Sequence, residues 1–588
     1  MTAASAAPLS GALPFTAVAV VGLGTVGSAL ARSLASAGAR VVAVEADGDA
    51  LAGGRERVER GLEDPAARAR ITYTADLAGI TGSELVVEAV PEDFALKTEV
   101  LRRADGLCGP EAVFATTTSL SVTRVAAACG RLPRTVGLHP VGHAPDGGVV
   151  EVVTTPLTEP SVGRAAEELV GALGRRAVAS SDQPGFTGGG LLMGYLNGAV
   201  AMYERRYASR DDIDAAMMLG CGLPLGPLAH LDLIGLDTAR DTLRGLYEQT
   251  GQARFLPPPL LDHMVTAGLL GAKAGRGFHT WPEGPAGPRA AAGPRGGGAA
   301  GPARPSRPVR EVGVIGSGTM ASGIAEVFAR SGYGTRLVAR TDVRAKEALD
   351  KVAGSVERGV RRGRISAEEG RAALERLVPA DCLEAVADCD LVVEAVAEEL
   401  PVKREVFRGL DAVCRPGAVL TTTTSSLPVV ECAAVTSRPE DVLGMHFFNP
   451  APVMRLVEVV GTVLTAPDAL GTVHEVCARL GKHPVGIDDR AGFIVNALLF
   501  PYLNSAVRLL EERRAVAGEI DAVMTQGCGY PMGPLTLLDT IGLDVSLQIQ
   551  NSLHASFREP SLVPAKHLEH LVDAGYLGRK SGRGFHTY

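Results

Sequence analysis

Two glycine clusters carry the first chemistry in the chain. Gly22, Gly24 and Gly27, in AVAVVGLGTVGSALARSLASAGARVVAVE, lie between an apolar run and a helical stretch, and Glu45 closes the next apolar run. Glycines at that spacing allow a tight turn, close backbone approach to a pyrophosphate at a helix N-terminus, and close helix–strand packing; the carboxylate holds a ribose 2′-hydroxyl. The glycines alone would fit any tight turn. With strand, helix and acid in place they point to a dinucleotide, here NAD(H). The second cluster has Gly316, Gly318 and Ala321, but where the acid would stand it has Ala339 followed by Arg340. A guanidinium beside a missing carboxylate suits a 2′-phosphate, so NADP(H) is favoured there, with NAD(H) as the alternative.

The two clusters occupy the same place in a repeated chain. GCGLPLGP, from Gly220, recurs as GCGYPMGP from Gly527, and LLGAKAGRGFHTW, ending at Trp281, recurs as YLGRKSGRGFHTY at the C-terminus. Late in the copies the offset is 527 − 220 = 307, whereas Gly22 and Gly316 differ by 294. The second copy therefore carries about 13 extra residues, expected mostly around Val356 to Leu377. Within each copy, short β-branched runs such as LVVEAV alternate with amphipathic stretches, the pattern of a parallel sheet covered on both faces. The last hundred or so residues of each copy read as helices, with Tyr502 to Met524 as one helical run.

The expected architecture is an α/β Rossmann-like NAD(P)-binding domain followed by an all-helical domain, present twice in tandem. The expected boundaries are a flexible tail at 1–14, copy one at 15–182 and 183–281, a Pro/Gly/Ala-rich linker at 282–308, and copy two at 309–489 and 490–588.

Composition narrows the functional classes. With 588 residues, 46% hydrophobic and 21% charged, the chain can bury several cores. Its 58 basic and 66 acidic residues, for a net charge of −8, have the wrong sign for wrapping nucleic acid or lying on anionic lipid. No signal peptide or membrane span is legible. Nine cysteines without a CxxC pair point to a reducing cytoplasm rather than disulfides or zinc.

Copy two also contains TTTTSSLPVV, GMHFFNPAPVMRLVEVV, DRAGFIVNALLFPYLNSA, GYPMGPLTLLD and GRKSGRGF. These motifs resemble the (S)-3-hydroxyacyl-CoA dehydrogenase family, which includes 3-hydroxybutyryl-CoA dehydrogenases, and the likeness covers nearly all of both copies. The resemblance implies that His446 is the acid/base, Glu458 its orienting carboxylate, and Ser425 and Asn496 the groups that polarise and position substrate. It makes Glu398, Lys403 and Asn449 cofactor contacts, and Ser355 and Arg362 contacts of the CoA moiety. The residue types suit the reaction. Hydride exchange at C3 makes or consumes an alkoxide, so imidazole carries the proton, a carboxylate fixes its tautomer, and hydroxyl and amide donors meet the oxyanion.

Copy one departs from the pattern. His139 and Glu151 keep the spacing of 12, but Gly142 stands at the Asn449 position, Gly189 at the Asn496 position, and Thr118, counted back from the histidine, in place of Ser425. Its CoA-contacting segment is shortened. Copy one is therefore expected to be catalytically impaired, to retain NAD(H) through Gly22, Gly24, Gly27 and Glu45, and to serve as a structural partner. His139 and His143 are four apart, but Pro140 and Gly142 oppose a helix presenting both, so no metal is expected.

The expected activity is NAD(P)-dependent interconversion of (S)-3-hydroxyacyl-CoA and 3-oxoacyl-CoA of short chain, with acyl-CoA as partner and neither nucleic acid nor membrane. The alternatives are a dehydrogenase acting on an acyl-carrier-protein thioester or free β-hydroxy acid, and a nucleotide-binding scaffold without turnover. The family's habit of dimerising through helical domains implies an intramolecular pseudo-dimer of the two copies, with a homodimer as the alternative.

Overall fold

The computed structural model describes residues 13–142, 148–281 and 305–588. Of the expected segments, the tail lies outside these residues through 12 and the linker through 304, as does His143. No described helix is long and apolar enough to cross a membrane. The nine cysteines are all unpaired, and among the described residues no group of three or more His, Cys, Asp or Glu could hold a metal ion.

Two sheets of eight strands form, one per copy. The first contains β1 (Ala17–Val21), β2 (Arg40–Val44), β3 (Ile71–Thr74), β4 (Leu85–Glu88), β5 (Val113–Thr116), β6 (Thr135–Val141), β7 (Val149–Thr154) and β8 (Arg176–Ser181). The second contains β9 (Glu311–Ile315), β10 (Gly334–Val338), β11 (Leu377–Ala380), β12 (Leu391–Glu394), β13 (Val419–Thr422), β14 (Val442–Phe447), β15 (Leu456–Gly461) and β16 (His483–Asp488). The orders are β3-β2-β1-β4-β5-β6-β7-β8 and β11-β10-β9-β12-β13-β14-β15-β16. Continuous apolar runs such as LVV at the start of β4 and β12 are buried on both faces, as helix-covered parallel strands must be. The exceptions to parallel pairing are β6 with β7 and β14 with β15, which run antiparallel.

Strand registers locate the extra length of copy two. Twelve of the thirteen residues fall between β10 and β11, because β2 and β10 correspond at an offset of 294 (334 − 40) and β3 and β11 at 306 (377 − 71). There the helices Gly48–Glu59 and Pro65–Ala69 of copy one become Asp342–Arg361 and Ala367–Glu375. A capping box at Ser366 and Glu369 starts the second of these, satisfying two of the backbone donors at its N-terminus.

Each sheet buries one ion pair. Glu394, at the end of β12, is fully buried, as is Lys403 on helix Leu400–Val413. The Lys403 Nζ donates to both Glu394 carboxylate oxygens at 2.9 and 3.1 Å, while Thr422 Oγ1 and the Val396 amide satisfy the rest. Copy one repeats the arrangement with Glu88, Lys97 and Thr116.

The helical regions of the two copies pack on one another. Helix Gly188–Glu204 lies against helix Val495–Glu511, with Tyr195 and Tyr502 rings 5.9 Å apart, and one continuous apolar core holds Leu191, Leu196, Leu498 and Leu503 together. Sheet residues Val141 and Val149 of copy one and Leu456 and Val460 of copy two join it. The expected single run from Tyr502 to Met524 is broken. Arg513 adopts a left-handed backbone (φ 54°), a new helix runs over Ala517–Ala522, and a π turn follows over Val523–Gly527. The periodicity persists through the break because both segments present their apolar faces to the same core. At the end of the linker, Arg307 grips Asp468 with two hydrogen bonds, at 2.8 and 3.0 Å, and pairs with Asp441.

Replacing Lys403 by Met leaves Glu394 buried without its cation, so a loss of about 3–5 kcal/mol is expected from such a broken pair. Denaturant unfolding checks it, with the exposed pair Lys346–Asp342 as the control that should change little.

Candidate active site

The antiparallel pair β14/β15 builds the centre of the site. His446 and Glu458 stand directly opposite one another in its register, so their side chains emerge as neighbours on one face. Their spacing of 12 covers the eight-residue excursion 448–455 and the strand ends on either side of it. The His446 Nδ1 lies 2.7 Å from a Glu458 oxygen, and Glu458 is fully buried. The other Glu458 oxygen accepts the amides of Ile494 and Val495, each at 3.0 Å, where helix Val495–Glu511 begins. A carboxylate at a helix N-terminus is stabilised by the free amides there. Rings of Phe448 and Phe493 flank the imidazole at 4.6 and 5.5 Å.

That helix carries Asn496 in its first turn, and the Asn496 amide donates to the Ser425 carbonyl at 3.2 Å. Ser425 follows β13, and its own amide donates to Glu398 at 2.8 Å, as do the Ser426 amide and the Thr424 hydroxyl. Glu398 also lies 3.3 Å from Lys403. Burial opposes its charge, but the Lys403 ammonium and these donors outweigh it and hold the Glu398 carboxyl below the ordinary carboxylate range. Lys403 is held above its ordinary range by the same balance, burial being outweighed by Glu394 and Glu398. The structure thus brings together two hydrogen-bonded sets, His446 with Glu458 and Asn496 with Ser425, Glu398 and Lys403, which meet at the start of helix Val495–Glu511, where Glu458 takes the amide next to Asn496. Asn449 is exposed just beyond β14, and Ser355 and Arg362 sit on a different element, the hairpin of helices Asp342–Arg361 and Ala367–Glu375.

The glycine loops have the shape of a phosphate cradle. Gly22 and Gly316 take positive φ (94° and 138°), and a side chain at either would strike the backbone of Ala89 or Ala395. Gly24 and Gly318 face open space where each following helix begins, and Ala321 occupies the tight third position. Side chains on Gly24 or Gly318 would fill the space a pyrophosphate needs. In copy one, Glu45 accepts the Leu23 amide at 2.8 Å, beside the loop. In copy two, Ala339 is buried there and Arg340 is exposed next to it. Lys351 donates to the Ser317 carbonyl of the same loop at 3.1 Å, as Arg57 does to Leu23 in copy one.

Copy one keeps the dyad, with His139 Nδ1 3.0 Å from Glu151, and Glu151 accepts Ser180 Oγ and the amides of Thr187 and Gly188. The counterpart of Ser425 is Ser119, not Thr118. Thr118 Oγ1 and the Ser119 amide both donate to Glu92, as Thr424 and Ser425 do to Glu398. The thirteenth extra residue of copy two falls after this serine, so counting back from the histidine lands one position early. Gly189 does take the Asn496 position, and any β-carbon there would lie 3.3 Å from His139 Cε1. A β-carbon at Gly188 would strike Val523 of copy two at 2.5 Å, and one at Gly142 the Gly527 carbonyl. The glycine run therefore lets the helix approach His139 and the other copy, and it leaves copy one without the side-chain amide that Asn496 supplies in copy two.

Glu88, Glu394 and Lys97 are legible in the sequence only as apolar strands and helix, and Lys403 only as the cofactor contact that the resemblance implies. The signal was present: a Glu ending LVVE with a Lys nine residues on, in both copies.

The chain matches the family model described as 3-hydroxyacyl-CoA dehydrogenase, NAD binding domain, over residues 17–183 and 311–490. It matches the C-terminal domain of the same family over 185–281 and 492–588. It is 43% identical over 278 residues to a 3-hydroxybutyryl-CoA dehydrogenase of Mycobacterium tuberculosis, covering 47% of this chain and 97% of the relative. A 3-hydroxyadipyl-CoA dehydrogenase of Escherichia coli K12 is 42% identical over 276 residues, 47% of this chain and 58% of the relative. The crystal structure of a 3-hydroxybutyryl-CoA dehydrogenase from Escherichia coli K12 shares the fold, with a TM-score of 0.64 over 96% of this chain and 99% of that one, at 22% identity.

Restoring the amide with Gly189→Asn should crowd His139 and lower the stability of copy one by about 1–3 kcal/mol, the usual range for overpacking, which thermal unfolding measures.

Proposed function

Because this chain belongs to the 3-hydroxyacyl-CoA dehydrogenase family, with both family domains present twice, we propose that it interconverts (S)-3-hydroxyacyl-CoA and 3-oxoacyl-CoA of short chain, and that copy two performs the turnover. The observation that carries this is that copy two holds the Ser425–Asn496 pair and the His446–Glu458 pair at the start of one helix, whereas copy one has glycine, with no side-chain amide, at the Asn496 position.

A nicotinamide dinucleotide, when bound, supplies hydride transfer; Gly316, Gly318, Ala321, Glu398, Lys403 and Asn449 are assigned to its binding. Lys403 acts through Glu398, since its ammonium is committed there and to Glu394. In the reducing direction negative charge grows on the C3 oxygen. His446 delivers a proton to that oxygen from Nε2, because Nδ1 is committed to Glu458, which also stabilises the imidazolium of the reverse reaction. Ser425 and Asn496 orient the substrate and face donors to the developing charge. Ser355 and Arg362 are assigned to the CoA moiety, on the hairpin that copy one lacks at full length.

NADP(H) is the proposed cofactor of copy two, supported by Ala339 at the acid position and by Arg340 and Lys351 near the loop. NAD(H) is the proposed ligand of copy one, through Gly22, Gly24, Gly27 and Glu45. The two copies are proposed to work as an intramolecular pseudo-dimer, supported by their shared helical core. Cytoplasmic residence is proposed on the nine unpaired cysteines.

Acetoacetyl-CoA-dependent NADPH oxidation by the full-length protein tests the reading. His446→Ala should lower turnover by at least about 10²-fold, the low end for a general acid/base, whereas His139→Ala should change it little. Equal losses in both variants would refute a single active copy. Arg340→Ala should weaken NADPH relative to NADH by roughly 10- to 150-fold, the worth of charge-assisted hydrogen bonds. An unchanged cofactor ratio would remove Arg340 from cofactor choice.

A further inference from the structure

The two copies grip one another unequally. Tyr207, in the turn after helix Gly188–Glu204 of copy one, donates its hydroxyl to the Asp488 carbonyl at 3.0 Å, the last residue of β16 in copy two. Its ring lies 5.0 Å from the Arg490 guanidinium, and on the other side Arg490 lies 4.5 Å from the ring of Phe557. One cation is thus held between aromatic rings contributed by the two copies.

What is gripped is the junction between the sheet and the helical region of copy two. Asp489, between the two gripped residues, accepts the amides of Val429 and Val430 just beyond the Ser425 turn. Three residues after Arg490 comes Phe493, in a left-handed backbone (φ 50°) with its ring against His446, and then Asn496. Copy one also reaches the other flank of the site. At Gly220 a β-carbon would stand 3.0 Å from Val495 and 3.6 Å from Phe448, whose ring abuts His446.

The mirror-image grip is missing from the sequence. At the late offset of 307, Tyr207 corresponds to Arg514, Arg490 to Gln183, and Phe557 to Thr250. Arg514 pairs instead with its neighbour Glu512. Neither the rings nor the cation are available at the copy-one junction.

We propose that Tyr207 of copy one is a positioning residue for the site of copy two: through Asp488 and Arg490 it holds the junction so that Asn496 and Phe493 stay in register with Ser425 and His446. This rests on the assignment of turnover to copy two. The impaired copy then has a defined task, and it supplies the brace on one side only.

The test compares full-length Tyr207→Ala and Tyr207→Phe with the parent protein, by hydrogen–deuterium exchange and by acetoacetyl-CoA reduction with NADPH. In Tyr207→Ala, exchange should accelerate across residues 488–494 and stay unchanged across 181–187. The kcat should fall by about 5- to 50-fold, the range of one hydrogen bond plus one cation–π contact, with KM for NADPH nearly unchanged. Tyr207→Phe, which keeps the ring, should recover most of the kcat. Unaltered exchange at 488–494 in folded Tyr207→Ala would overturn the proposal. So would equal loosening of both junctions, or a loss of kcat matched by a loss of folded protein. If the parent protein fails to reduce acetoacetyl-CoA, the functional reading fails by itself, and the exchange comparison still decides whether Tyr207 braces the junction.

Discussion

The buried Glu458 carboxylate is the interaction on which the rest of copy two depends. A charge with no exposed surface is tolerable only when every oxygen is satisfied. One Glu458 oxygen faces His446; the other takes two amides at the start of the helix that carries Asn496. The same carboxylate therefore ties a strand, an imidazole and a helix terminus together. Its position follows from the reversal of strand direction between β14 and β15, which sets two residues twelve apart directly across from each other. A parallel strand at that place would need a long crossover and would leave the carboxylate elsewhere.

This constraint explains which features of the duplicated chain persisted. Glu151 in copy one holds Thr187, Gly188 and Ser180 as well as His139, so removing it would leave a buried helix terminus without partners. The dyad is thus retained for structural reasons even where the neighbouring amide position has become Gly189. The differences lie elsewhere: the helix hairpin is shorter in copy one, and glycine stands at the Asn496 position. The Glu394–Lys403 and Glu88–Lys97 pairs likewise remain in both sheets, because neither buried charge survives the loss of the other.

Much of this architecture is legible in the residues. The β-branched runs place the strands, and the shift from one offset to another places the lengthened hairpin, because both are local properties of the chain. Thr118 shows the limit: one residue inserted between a turn and a strand breaks counting from a distant landmark, and only the donors to Glu92 identify Ser119 as the counterpart of Ser425. The helical period from Tyr502 to Met524 hid the break at Arg513, since periodicity reports which face is apolar and not whether the axis continues. Tyr207 lies 281 residues from the carbonyl it meets, and no pattern of spacing connects them.

The core formed by Leu191, Leu196, Leu498 and Leu503 has a further consequence. Two separate subunits meeting across such a surface would part on dilution, because their association follows mass action. Here both faces belong to one polypeptide, and meeting is a unimolecular event governed by the local concentration that the tether imposes. The pairing of the two halves within one chain is therefore independent of how much protein is present.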